Sequence, residues 1–107
     1  MISTRDVIIR ANLVDAKKFY NGVLDFPIVT DSERLVGFDT GSFTLYAEPG
    51  AGPGPVFDFL VDDLAQAKAD LLASGCELIE ENPEIPRCYM RDALGLLFNL
   101  AESERPG

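Results

Sequence analysis

The chain contains no histidine. The commonest general base and the commonest metal ligand are therefore both missing. The polar side chains that stand out are those set inside apolar runs. Asp58 lies in VFDFLV, Val56–Val61, between Phe57 and Phe59. Successive side chains of a strand point to opposite faces. If the two phenylalanines pack into a core, Val56, Asp58 and Leu60 face away from it. Asn99, between Phe98 and Leu100, follows the same logic, with Leu97 and Ala101 beside it. A carboxylate among apolar neighbours requires a partner, a ligand or water. An amide suits a bound amide, a carbonyl or a buried water. Arg5 is a third polar handle, or else a solvated strand end.

Other candidates have simpler readings. Cys88 has no histidine to activate it and reads as an inert buried thiol. With Cys76 it fits reduced thiols better than a disulfide framework. Glu48 and Glu102 close equivalent strands, where solvation or turn chemistry explains them. Tyr89 and Arg91 belong to a surface or to a cavity edge. The glycines of residues 50–54 alternate with prolines and open no helix, so they form no phosphate cradle.

The elements that must position these residues repeat. Residues 7–9 read as a strand. A helix over 13–23 is announced by Asn12 as N-cap and by apolar residues at Leu13, Ala16, Phe19, Tyr20 and Val23. Strands at 27–30, 35–39 and 43–48 follow, and PGAGPGP at 49–55 breaks regular structure. The pattern then restarts. There is a strand at Val56–Val61, and a helix from Asp62 or Asp63 to about Ser74 with Gly75 at its C-cap. Strands at 76–79, Arg87–Arg91 and 96–102 complete it. Leu13, Ala16 and Lys17 match Leu64, Ala67 and Lys68 at one constant offset, and Gly41, Ala47 and Glu48 match Gly95, Ala101 and Glu102 at another. Each helix has one apolar stripe and covers one sheet face. The expected class is α+β: two βαβββ modules, about 5–48 and 56–102, in a single domain over 1–107. They form a curved mixed sheet around a cavity, with helices on the outer face and a polar tail at 103–107.

Three segments carry a family resemblance. LVDAKKFYNGVLDFP at 13–27 has an Asp-containing start, Phe-Tyr, and a Leu-x-aromatic-Pro close. VDDL at 61–64 begins the second helix. DALG at 92–95 keeps the outer residues of an Asp-Pro-Asp-Gly turn. In this order and spacing they resemble the glyoxalase, bleomycin resistance and extradiol dioxygenase (vicinal oxygen chelate) superfamily. Asp25 stands where that pattern has glycine. Superfamily enzymes draw metal ligands from the first and last strands of each half. Carried over by spacing, those positions are Arg5, Leu45, Val56 and Asn99. Arg5 repels a cation, Leu45 and Val56 offer no donor, and Asn99 is a weak neutral one, so the expectation is no metal and no cofactor. A one-residue slip of the first strand would put Asp6 in place of Arg5. The resemblance also implies a homodimer.

Charge narrows the partners. Nine basic residues stand against 18 acidic ones, for a formal net charge of −9. The clustered Lys and Arg that bind phosphate backbones are missing, which argues against nucleic acid. An acidic chain attracts cations or is simply soluble. No apolar run approaches a membrane span, and the N-terminus lacks a signal-peptide stretch, so the expected setting is cytoplasmic with no membrane partner. The favoured expectation is a metal-free protein that binds a small organic molecule, a cationic or aromatic drug or metabolite, through Arg5, Leu45, Val56, Asp58 and Asn99. The rival is a superfamily enzyme (a lyase, isomerase or dioxygenase-like member) with a displaced metal site or metal-independent acid–base chemistry. A third reading is an interaction module without a cavity of ligand size.

Overall fold

The computed structural model describes residues 1–103; residues 104–107 of the expected tail lie outside them. The chain forms two compact units, Arg5–Pro55 and Met1–Thr4 with Val56 onward. Each has the same element order, as the internal repeat requires. The class is α+β.

In the first unit β1 (Ile2–Ala11, from Arg5) leads to α1 (Leu13–Ala16), followed by β2 (Ile28–Asp31), β3 (Val36–Asp39) and β4 (Thr44–Pro49). The strand order is β2-β3-β4-β1. β2, β3 and β4 are antiparallel neighbours, and β1 runs parallel to β4. Asn12 caps α1, its Oδ1 accepting the Asp15 backbone N–H at 3.0 Å. The α-helix is shorter than its apolar spacing predicts, because it widens into a π-helical turn over Lys17–Asn21. Gly22 closes that turn. A Cβ there would lie 2.4 Å from the Lys18 carbonyl oxygen, so only glycine fits. Ala16 packs with Val36, Phe38, Leu45 and Ala47, and Val7, Ile9 and Tyr20 pack against them. Phe38 is fully buried, and its truncation to alanine would cost about 3–5 kcal/mol.

In the second unit β5 (Val56–Val61), α2 (Leu64–Ala73), β6 (Glu77–Asn82), β7 (Arg87–Arg91) and β8 (Leu97–Glu102) follow in sequence. The strand order is β5-β8-β7-β6, with β5 parallel to β8 and the other pairs antiparallel. Asp63 caps α2 by accepting the Gln66 N–H at 3.0 Å. At the other end Gly75 adopts φ +99°. The Cys76 and Gly75 amides donate to Leu71 and Leu72 carbonyls at 3.0 and 3.2 Å, a Schellman close. Val61, Cys88, Met90, Phe98 and Leu100 form the core, with Phe59, Leu64, Ala67 and Leu71 against it. Among the described residues no helix is long and apolar enough to cross a membrane.

Candidate functional site

The two faces of the second sheet divide as the alternation of β5 predicts for Phe59 and Val61, whereas Phe57, expected in the core with them, is exposed. Phe59 stacks on Phe98 at 5.1 Å, and both belong to the core beneath α2 with Val61 and Leu100. Val56, Asp58 and Leu60 therefore take the face opposite the helix. Asp58 is the direct partner of Asn99 across β5 and β8, and Asn99 is the partner of Tyr89 across β8 and β7. Direct partners share a face, so these three polar side chains lie in one row.

Asp58 and Asn99 in that row are hydrogen-bonded to each other and to their neighbours. Asn99 Nδ2 donates to Asp58 Oδ1 at 3.0 Å. The Thr4 hydroxyl donates to Asp58 Oδ2 at 3.1 Å and also reaches the Asp58 carbonyl oxygen at 3.2 Å. Asn99 Oδ1 accepts the Cys88 backbone N–H at 2.8 Å. The β7–β8 pairing begins at Tyr89, so the amide takes the place of the next ladder bond. Asn99 is 7% exposed, and no buried side-chain polar atom among the described residues is left unpaired. Val56 and Tyr89 are also buried, whereas Asp58, Leu60 and Ala101 are half-buried. Arg87 ends the row, its guanidinium 5.0 Å from the Tyr89 ring centroid and 3.0 Å from Glu80 Oε2.

The first unit corrects two expectations. Leu45 pairs with Phe38, and Phe38 packs on Tyr20 of the helical segment with ring centroids 5.3 Å apart. Leu45 and Ala47 therefore face the helix and belong to the core, not to the opposite face. Val7 pairs with Leu45 and Ile9 with Ala47, so Arg5, two residues before Val7, is on the helix side too, and it is exposed. The slip to Asp6 is the register the strand adopts. The helix-free face carries Asp6, Ile8 and Arg10 beside Thr44, Tyr46 and Glu48. Arg10 Nε meets Glu48 Oε1 at 3.2 Å. A Cβ on Gly52 would lie 3.0 Å from Arg10 Cδ, and one on Gly37 would lie 2.9 Å from the Tyr46 ring. Both glycines thus hold close approaches. The alternation Thr44–Leu45–Tyr46–Ala47–Glu48, polar against small or apolar, was the signal for this face.

These placements bear on the positions from which superfamily enzymes draw metal ligands. Leu45 is in the core, Val56 has no donor, and the Asn99 amide is committed to Cys88 and Asp58. No group of three histidine, cysteine or acidic side chains converges among the described residues. The four positions carried over by spacing, Arg5, Leu45, Val56 and Asn99, therefore supply no donor set for a divalent ion.

The remaining candidates have structural tasks. Cys76 and Cys88 are free thiols, and burial pushes the Cys88 thiol up, with the Glu81 charge adding to it. Glu102 accepts the Leu64 N–H at the start of α2 at 3.4 Å. On the helix side of the unit lies a groove of about 510 Å³, lined by α2 with Glu81 and Glu102.

The sequence matches no protein-family model and no curated protein. Its fold does match solved structures. A glyoxalase/bleomycin resistance protein/dioxygenase superfamily member from Vibrio splendidus 12B01 superposes with a TM-score of 0.65 at 17% identity, covering 94% of this chain and 99% of that one. A structure described as NAD-dependent benzaldehyde dehydrogenase from Legionella pneumophila gives 0.66 at 13% identity, covering 92% and 98%. At such identities the likeness establishes the fold, which is that of the superfamily the sequence resembles, and carries no activity.

Proposed function

We propose that the chain is a metal-free small-molecule binding protein that sequesters a cationic or aromatic drug or metabolite on the helix-free face of its second unit. The observation that carries this reading is the setting of Asp58. It is a half-buried carboxylate whose hydrogen-bond partners, Thr4 and Asn99, are both neutral. A charge held in this way gains most from a cation brought to it out of water. Leu60 and Ala101 supply apolar contact on the same face, Val56 forms part of the floor, and Asn99 fixes the carboxylate. This mixture of apolar lining and few polar groups suits a small organic ligand. A homodimer is part of the proposal, since Val14, Val23 and Leu94 remain exposed; sedimentation velocity tests it.

The deciding experiment is a thermal-shift panel of cationic aromatic, neutral and anionic compounds and divalent metals, run on the native chain and on Asp58→Asn. Stabilisation by the cationic aromatics that is lost in Asp58→Asn supports the reading. Stabilisation by divalent metals alone, with turnover that a chelator abolishes, would sink it and establish the enzyme reading instead.

A further inference from the structure

α2 buries one stripe, Leu64, Ala67 and Leu71, against the core. A second run, Ala65, Ala69 and Leu72, lies along the neighbouring side and is exposed. Ala65 and Ala69 are one helical turn apart on the same face. Their small side chains leave a trough that Leu64 and Leu72 also line. This trough is the groove of about 510 Å³, whose other lining side chains are Lys68, Glu81 of β6 and Glu102 of β8. The volume falls in the range of small-ligand sites, and the walls are mostly apolar.

The charges of the groove select the ligand. Lys68 Nζ is held by Glu81 Oε2 at 2.6 Å, so its ammonium is neutralised in place. Glu102 gives one oxygen to the Leu64 N–H over 3.4 Å. Two carboxylates thus face one ammonium, on a chain of net charge −9. An anion entering the trough would meet Glu81 and Glu102 without a free cation to receive it. A cation with an aliphatic body would lay that body along Ala65 and Ala69 and place its charge at Glu102. We infer that this groove on the outer side of α2 is a second binding site, separate from the Asp58 face, for a small monocation with an aliphatic chain.

The test uses octylammonium chloride as probe, with octanoate and 1-octanol as controls, followed by amide chemical shifts of the full chain. The expected result is saturable shifts at Ala65, Ala69 and Leu72 with octylammonium, and at least tenfold weaker binding of octanoate. Ala69→Phe fills the trough and should weaken the probe at least tenfold, while Glu102→Gln should weaken it several-fold. Both positions are exposed, so folding is preserved and circular dichroism verifies it. Asp58→Asn should leave these shifts unchanged, which separates this site from the one proposed above. Equal binding of octanoate, shifts confined to Asp58, Asn99 and Tyr89, or binding that survives both groove variants would overturn the inference.

Discussion

Asn99 and Asp58 sit opposite each other across the parallel pair β8 and β5, and the amide of one donates to the carboxylate of the other at 3.0 Å. The same amide accepts the Cys88 N–H at 2.8 Å. One side chain therefore ties β5, β8 and the start of β7 together. Asn99→Leu keeps the approximate volume but strands the Cys88 N–H and removes a donor from Asp58. An unsatisfied buried group costs about 1–3 kcal/mol. Urea unfolding should show that loss through a lower midpoint with the slope unchanged. A variant as stable as the native chain would show that water replaces the amide.

The repeat, the Asn12 N-cap and the Gly75 C-cap were legible because each rests on local chemistry, while the second N-cap was narrowed to Asp62 or Asp63, of which the structure uses Asp63. The face of Asp58 was legible too, since Phe59 beside it packs against the core, although Phe57, expected there too, is exposed. The face of β1 was not legible. Val7, Ile8 and Ile9 are apolar without interruption, so the strand carries no period-two signal of its own. Counting back from Asn12 selected Arg5, while pairing with β4 puts Asp6, Ile8 and Arg10 on the helix-free face. The apolar period also continued past Ala16 into the π-helical turn, because that period cannot distinguish the two windings over so few residues.

Asp25 has φ +60° and is the one described residue other than glycine in the left-handed region. Aspartate tolerates this better than most residues, yet glycine carries no Cβ penalty there. Asp25→Gly should be neutral to stabilising by up to about 1 kcal/mol, and Asp25→Val clearly destabilising. For a domain of this size, 1 kcal/mol corresponds to roughly 4–8 °C in Tm, within reach of calorimetry. A fall in Tm for Asp25→Gly would show that the carboxylate contributes more than the backbone conformation costs.

The two thiols should differ in reactivity. Cys76 is half-buried and Cys88 buried, and burial holds the Cys88 pKa above the ordinary 9.0. A thiol-reactive chromophore should label Cys76 first in the native chain and reach Cys88 only in denaturant. The sign for stability follows: the contribution of Cys88 is complete below the unfolded value and is lost as pH rises towards the folded one. Labelling of Cys88 at the same rate as Cys76 under native conditions would mean that the core beneath α2 opens readily.

Lys68 and Glu81 give a second alkaline signature. The hydrogen bond from Lys68 to Glu81, aided by their opposite charges, raises the Lys68 pKa above 10.5 against a smaller opposing effect of desolvation. A base whose folded pKa is raised contributes stability fully below the unfolded value and loses it as pH rises through the folded value. Lys68→Met should therefore be less stable than the native chain near neutrality. The gap should close as pH rises past the ordinary lysine value of 10.5 and through the raised folded one, where the native lysine also loses its charge. Because the pair is exposed, the gap is small and shrinks in salt. Urea midpoints of both chains across that range separate two causes. A gap that persists undiminished at high pH belongs to the packing of the lysine stem along α2, and one that vanishes belongs to the ion pair that joins α2 to β6.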